Sequence, residues 1–182
     1  NHKWYQAMGE DYIVKALEAA YKANPKATLF INEWGLENDS KRWDAFKTLL
    51  MQVKTQLEDR GIPTDNLGVG FQAHVYEAGD TIDIDDFKVH IRQLAEMGIK
   101  AQVSEMDVYS DDGDEAQAVE YTNVLQACLS EPNCIAWRTW MLSDRYDIWK
   151  DDDGGIENGR DGLFSDTLLP RPATLRMLES LQ

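Results

Sequence analysis

Gln102-Val-Ser-Glu-Met-Asp-Val-Tyr109 decides how this chain reads. The run is alternating and mostly apolar, and it sets a carboxylate, Glu105, where a buried strand should be ending. Burying a carboxylate costs free energy unless it has partners or a job. Three other segments share this form, an apolar strand whose C-terminal end carries polar or aromatic groups. They are Thr28–Trp34 (TLFINEW), Leu67–Tyr76 (LGVGFQAHVY) and Cys134–Met141 (CIAWRTWM). Four such strands with helices between them read as the wall of a βα-barrel with a site on its rim.

The intervening segments carry helical periodicity. From Gly9 to Asn24 the residues Tyr12, Ile13, Ala16, Leu17 and Ala20 fall on one face, and Pro25 stops the helix. Asn38-Asp39-Ser40 can cap a second helix, whose stripe is Trp43, Phe46, Leu49, Leu50, Val53 and Leu57. Asp83 to Asp86 opens a third, with Ile84, Phe87, Ile91 and Leu94 inward and Gly98 at its end. A fourth helix follows the loop Asp111–Asp114 and runs to Cys128, and a last one follows Pro170 and Pro172. The strands recur about every 35 residues, the spacing of a right-handed parallel crossover. A closed barrel needs eight strands and about 250 residues, and a four-stranded sheet leaves two open edges. Residues 1–182 are therefore expected to form one domain that is a fragment, a half-barrel pairing with another chain, or an open sheet. A homodimer of halves would cover the edges.

Composition narrows the partners. The chain has 182 residues, 43% of them hydrophobic, enough for a globular core. Its 33 acidic residues against 18 basic ones give a net charge of -15, which argues against nucleic acid or an anionic membrane as partner and suits a neutral ligand. No apolar run approaches the roughly 20 residues of a membrane span. Asn1-His-Lys-Trp4 reads as mature sequence without a signal peptide. Cys128 should close a helix and Cys134 open a strand, which favours a disulfide over two buried thiols and so a secreted or extracytoplasmic protein. With two thiols and three scattered histidines, neither a metal site nor a cofactor is expected.

Glu105 is the leading candidate for chemistry. His74 ends the preceding strand, and Gln72 lies on the same face two residues earlier. On adjacent parallel strands His74 comes within hydrogen-bonding reach of Glu105 and can orient it as a nucleophile. Trp34, Trp140 and Trp149, at strand ends and loops, suit stacking against sugar faces, while Trp43 belongs to the core. Asn32 and Trp34 share one side of their strand, so Glu33 points to the other and reads as structural. The acidic loop Asp151–Asp153 lacks the ordered ligand spacing of an EF-hand and reads as solvated surface.

In order along the chain, Trp4–Ile13, Phe30-Ile-Asn-Glu-Trp34, Gly70-Phe-Gln-Ala-His-Val75, Val103-Ser-Glu-Met-Asp-Val108, the pair Cys128 and Cys134, Thr139-Trp140, Ser143-Asp144, and Gly162–Asp166 with Pro170-Arg-Pro172 resemble the C-terminal half of glycoside hydrolase family 10, the endo-β-1,4-xylanases. The resemblance implies an α/β TIM (β/α)8-barrel of which this chain covers about four βα units, strands five to eight. It implies retaining hydrolysis of xylan or xylo-oligosaccharides, with Glu105 as nucleophile. His74 and Gln72 would position the nucleophile and the sugar, Asn32 would lie near the site, and Trp140 and Trp149 would contact the sugar. Cys128 and Cys134 match a pair often bridged in the family. The family's acid/base glutamate ends the fourth strand, ahead of the matched region, and is expected to be missing from this chain. Glu33, Glu37 and Glu77 are weak local substitutes. A homodimer or a missing N-terminal half would complete the barrel. The alternative is a non-catalytic carbohydrate-binding half-barrel.

Overall fold

A computed structural model describes residues 3–75, 81–109, 113–146 and 161–182. Trp149, Glu77 and the loop Asp151–Asp153 lie outside the described residues.

The chain opens with α1 (Lys3–Met8), a 3-10 turn (Gly9–Asp11) and α2 (Tyr12–Ala23), and alternates thereafter. β1 (Leu29–Glu33) precedes α3 (Ser40–Asp59). β2 (Leu67–Phe71) and β3 (His74–Val75) precede α4 (Ile84–Glu96). β4 (Lys100–Val108) leads to α5 (Asp114–Leu129) and β5 (Cys134–Thr139) to α6 (Pro172–Ser180). Among the described residues, all pairings between these five strands are parallel. β2 lies between β1 and β4, and β5 pairs with the other side of β4. This is the parallel α/β wall that the sequence predicts.

Local chemistry sets the helix ends. Asp39 caps α3, its carboxylate accepting from the backbone N–H groups of Lys41 and Arg42 at 3.0 Å. Asp83 caps α4 in the same way through Asp85 and Asp86. Each such cap stabilises its helix by about 1 kcal/mol. Gly98, at φ +71°, ends α4 in a conformation that costs glycine little. The expected inward stripes of α3 and α4 are buried, with Leu49 and Ile84 only partly covered. The stripe expected for α2 is not: Leu17 is buried, Tyr12 and Ile13 are partly covered, Ala16 and Ala20 are exposed, and Val14 takes the second core position.

The core lies between the sheet and the helices. Val69, Phe71, Ala101, Val103 and Met106 from the strands meet Leu50, Phe87, Ile91, Leu94 and Tyr121 from the helices, all essentially inaccessible to solvent. Trp43 stacks on His90 at 4.5 Å and on Phe71 at 5.9 Å, while its indole N–H donates to Gln93 Oε1 at 2.7 Å. The core assignment of Trp43 is therefore correct. The opposite face of the sheet, which looks inward in a closed barrel, carries exposed groups including Asn32, Ile135 and Arg138.

Two features depart from the simple strand reading. Residues 67–75 form two strands, because Ala73 adopts φ 60° and interrupts the ladder. β4 is bulged. Three steps from Phe71 to His74 on one neighbour span four steps on β4, from Val103 to Asp107. Two steps on β5, from Trp137 to Thr139, span three on β4, from Val103 to Met106. One extra β4 residue is accommodated at Ser104–Glu105.

Cys128 and Cys134 form a disulfide with Cα atoms 5.3 Å apart, joining the end of α5 to the start of β5. Closing this short loop restricts the unfolded chain. Replacing both cysteines with serine is expected to lower stability by about 2 kcal/mol, measured as a lower urea midpoint.

Candidate active site

The bulge builds the site. Up to Val103, the odd positions Ala101 and Val103 enter the core, while Gln102 and Ser104 face the other way. After the extra residue the phase inverts. Met106 and Val108 enter the core, and Glu105 and Asp107 point toward His74. Bulges re-aim side chains in this manner and increase local twist.

Asn32, on β1, reaches Glu105 across β2. It can do so because its cross-strand partner is Gly70, and a Cβ there would overlap Asn32 Oδ1. Asn32 Nδ2 donates to Glu105 Oε1 at 2.6 Å, and Ser104 Oγ donates to Asn32 Oδ1 at 2.5 Å. The other carboxylate oxygen, Glu105 Oε2, lies 3.4 Å from His74 Nε2. Both oxygens of Glu105 therefore face nitrogen groups held on separate strands.

His74 is itself anchored. Its Nδ1–H donates to Asp107 Oδ1 at 2.5 Å, and that carboxylate is 1% exposed. Sequence reasoning placed His74 against Glu105 but overlooked Asp107 as its closer partner. The missed signal was spacing: Glu105 and Asp107 are two residues apart, so one imidazole can meet both. Burial alone would lower the His74 pKa, but the hydrogen bond and charge of Asp107, with Glu105 adding to them, leave it above the ordinary histidine value.

Trp140 completes the cluster. Its backbone N–H donates to Met106 O at 2.9 Å, continuing the β4–β5 pairing, and its half-exposed ring meets His74 edge-on at 6.1 Å. Trp34 is exposed, but its contacts run elsewhere: the Arg42 guanidinium lies over its ring at 4.0 Å. Glu33 accepts from the Trp34 backbone N–H and faces Arg42 at 3.8 Å, in keeping with a structural role. Gln72 is half-buried at the β2–β3 break, where its backbone N–H donates to Glu33 O at 3.2 Å. Arg138 Nη1 donates to Gln102 Oε1 at 2.6 Å on the inward face. Glu37 is buried against the backbone of Ala73. Among the described residues, no group of three or more His, Cys, Asp or Glu side chains is arranged to hold a metal ion.

A carboxylate gripped by an amide and an imidazole, beside an exposed indole at strand C-termini, is suited to attack on a neutral, ring-shaped substrate. Comparison with known proteins identifies the family. Residues 1–180 match glycosyl hydrolase family 10. The chain belongs to this family. The family 10 chain is 28% identical over 185 residues to endo-1,4-beta-xylanase B of Thermotoga neapolitana, covering 98% of this chain and 51% of the relative. It is 38% identical over 108 residues to endo-1,4-beta-xylanase A of Thermoanaerobacterium saccharolyticum, covering 59% of this chain and 9% of the relative. Among solved structures, xylanase 10B from Thermotoga petrophila in complex with xylobiose superposes with a TM-score of 0.79 at 26% identity, covering 98% of this chain and 53% of that one. TsXylA, described as an intracellular xylanase from Thermoanaerobacterium saccharolyticum, gives 0.76 at 30%, covering 97% and 52%. The family 10 chain thus spans about half the length of these structures.

Two measurements probe the geometry. Asp107→Asn removes the main partner that opposes burial at His74, so NMR titration should show its imidazole losing its proton at lower pH than in wild type. The linked stability has a definite sign. A raised folded pKa stabilises most fully below the unfolded value of about 6.5, and the contribution fades as pH rises through the folded value. The variant should show less of this alkaline loss. His90 runs the other way: burial lowers its pKa, so its contribution is lost as pH falls. Gly70→Ala should displace Asn32 from Glu105 while leaving the core intact, seen as altered Asn32 side-chain amide NMR signals with an unchanged far-UV spectrum.

Proposed function

We propose that these residues supply the nucleophile half of a retaining endo-β-1,4-xylanase. The observation that carries this reading is Glu105, with Asn32 on one oxygen and His74, backed by Asp107, facing the other. Glu105 forms a bond to the anomeric carbon as the glycosidic C–O bond breaks. An acid carboxyl gives its proton to the departing oxygen. The same carboxyl then takes a proton from the water that displaces Glu105, and the sugar leaves with its configuration retained. That second carboxyl must stand roughly 5–5.5 Å from the nucleophile, and it comes from outside the described residues. Among local substitutes, Glu33 is engaged with Arg42 and Glu37 with Ala73, which leaves neither directed at the site.

Asn32, His74 and Trp140 hold the nucleophile and the sugar. Gln72, Trp34 and Trp149 add contacts when xylan or a xylo-oligosaccharide is bound. Names of relatives and solved neighbours support the substrate class. The inward face of the sheet is covered by four further βα units, from a longer polypeptide or a second copy. A groove of about 270 Å³ beside the open edge of β1, lined by Tyr12, Ile13, Leu17, Phe30, Phe46 and Leu49, fits such packing. The disulfide supports an extracytoplasmic setting.

An aryl xylobioside with a good leaving group needs little acid assistance, so it tests the nucleophile alone. A fluorinated analogue should trap a covalent sugar, and mass spectrometry should find the label on the peptide carrying Glu105. Glu105→Gln should lose labelling and reducing-sugar release from xylan while keeping its fold. Undiminished turnover in that variant removes the assignment. Xylo-oligosaccharide binding without any labelling would instead favour the non-catalytic carbohydrate-binding half-barrel.

A further inference from the structure

The residue that aims His74 is one the proposed reaction does not use. Ala73, between Gln72 and His74, is fully buried and sits at φ 60°. A non-glycine residue holds that conformation only when its surroundings enforce it. Its N–H donates to Glu37 Oε1 at 2.7 Å, and Glu37 is 4% exposed. A charged-type side chain at that depth requires partners.

Glu37 sits on a loop tied down at three successive residues. Leu36 is buried, and its carbonyl accepts from His90 Nδ1 at 2.8 Å. Glu37 holds Ala73. Asn38 donates to the Thr81 carbonyl at 2.6 Å and accepts from the Asp83 N–H at 2.7 Å. The β1–α3 loop is thus fixed to α4 and its N-cap before it touches Ala73. The twist at Ala73 ends β2 and starts β3, placing His74 opposite Asp107 in the register of β4. With an extended residue at 73, the β2 ladder would run on, and His74 would have no reason to skip one position of β4.

We infer that Glu37 is a positioning residue: by locking Ala73 in the left-handed conformation it sets the His74 imidazole between Asp107 and Glu105. The catalytic meaning of that pose rests on the proposed nucleophile, but the pose itself does not. Burial raises the Glu37 pKa, while backbone N–H groups and His74 oppose the rise. Among the described residues, the charged groups acting on His74 include Asp107 and Glu105 from β4, which face its ring, and Glu37 from the β1–α3 loop, which is bonded to Ala73.

NMR on the 182-residue chain tests this without any substrate. The readout is exchange of the His74 ring proton shared with Asp107, with the His74 pKa beside it. Glu37→Gln retains an acceptor oxygen and should change that exchange less than about threefold. Glu37→Ala removes the acceptor and should speed it about tenfold, the scale of one lost hydrogen bond. Ala73→Gly, which tolerates φ 60° unaided, should restore most of the protection in the Glu37→Ala background. A purely structural role for Glu37 would lower the melting temperature of the Ala variant without selective rescue by glycine. If Glu37→Ala does not fold, Glu37→Gln and the double variant carry the test. Wild-type exchange in Glu37→Ala, equal losses in Glu37→Gln and Glu37→Ala, or a double variant no better than Glu37→Ala would each overturn the inference. Failure of covalent labelling with these NMR results intact would refute the nucleophile and leave the positioning role standing.

Discussion

One extra residue in β4 governs the candidate site. A strand that must bury one face has a side-chain period of two, and a single insertion exchanges its faces. Here the exchange happens between Val103 and Met106. Ahead of it, the core receives Ala101 and Val103; beyond it, Met106 and Val108. The apolar set stays buried throughout, so the bulge does not sacrifice hydrophobic burial. It brings Glu105 and Asp107 to His74, and without it they would point toward the helices. The contacts of Glu105 with Asn32 and of Glu105 and Asp107 with His74 depend on this inversion.

Burial and exposure divide between the two faces of the sheet. On the helix side, large side chains interlock, and polar groups such as His90 and Trp43 are bonded there, to Leu36 and Gln93. This layer holds the loops that follow β1 and β2. On the other side lie Asn32, Gln102, Ser104 and Arg138, with Ser104 bonded to Asn32 across Gly70 and Arg138 bonded to Gln102 on the adjacent strand. Small residues on β2 let polar side chains of β1 and β4 meet above it. Rigid support on one face and a polar surface on the other is how parallel βα architectures place function at strand ends.

Much of this was legible in the sequence. The alternation of strands and helices, the stripes of α3 and α4, the cap within Asn38–Ser40, the helix start at Asp83, the cysteine pair, and the candidacy of Glu105 and His74 follow from local patterns, while Asn32 entered through the family resemblance. Asp107 was not recognised, because a strictly alternating β4 makes it only the next polar residue of a strand end. The apolar positions 101, 103, 106 and 108 in fact announce the bulge by their spacing, but that signal is easily overlooked within a short apolar run. The break at Ala73 carried no residue-type signal, since alanine is not a usual left-handed residue. It exists because a carboxylate distant in sequence, Glu37, bonds its N–H. Trp34 shares Asn32's side of an ideal strand, but its contacts fall just beyond the strand end, where Arg42 of α3 takes its ring.

What the residues determined by themselves is the alternation of strands and helices and the kinds of groups at the strand ends, because hydrophobic period, capping and turn chemistry act over a few neighbouring residues. What only the tertiary structure decided is which of those groups meet. Asn32 and Glu105 are separated by 73 positions, His74 and Asp107 by 33, and Glu37 and Ala73 by 36. Contacts across such distances depend on strand register and on where a ladder breaks, and register is settled by packing the whole layer at once.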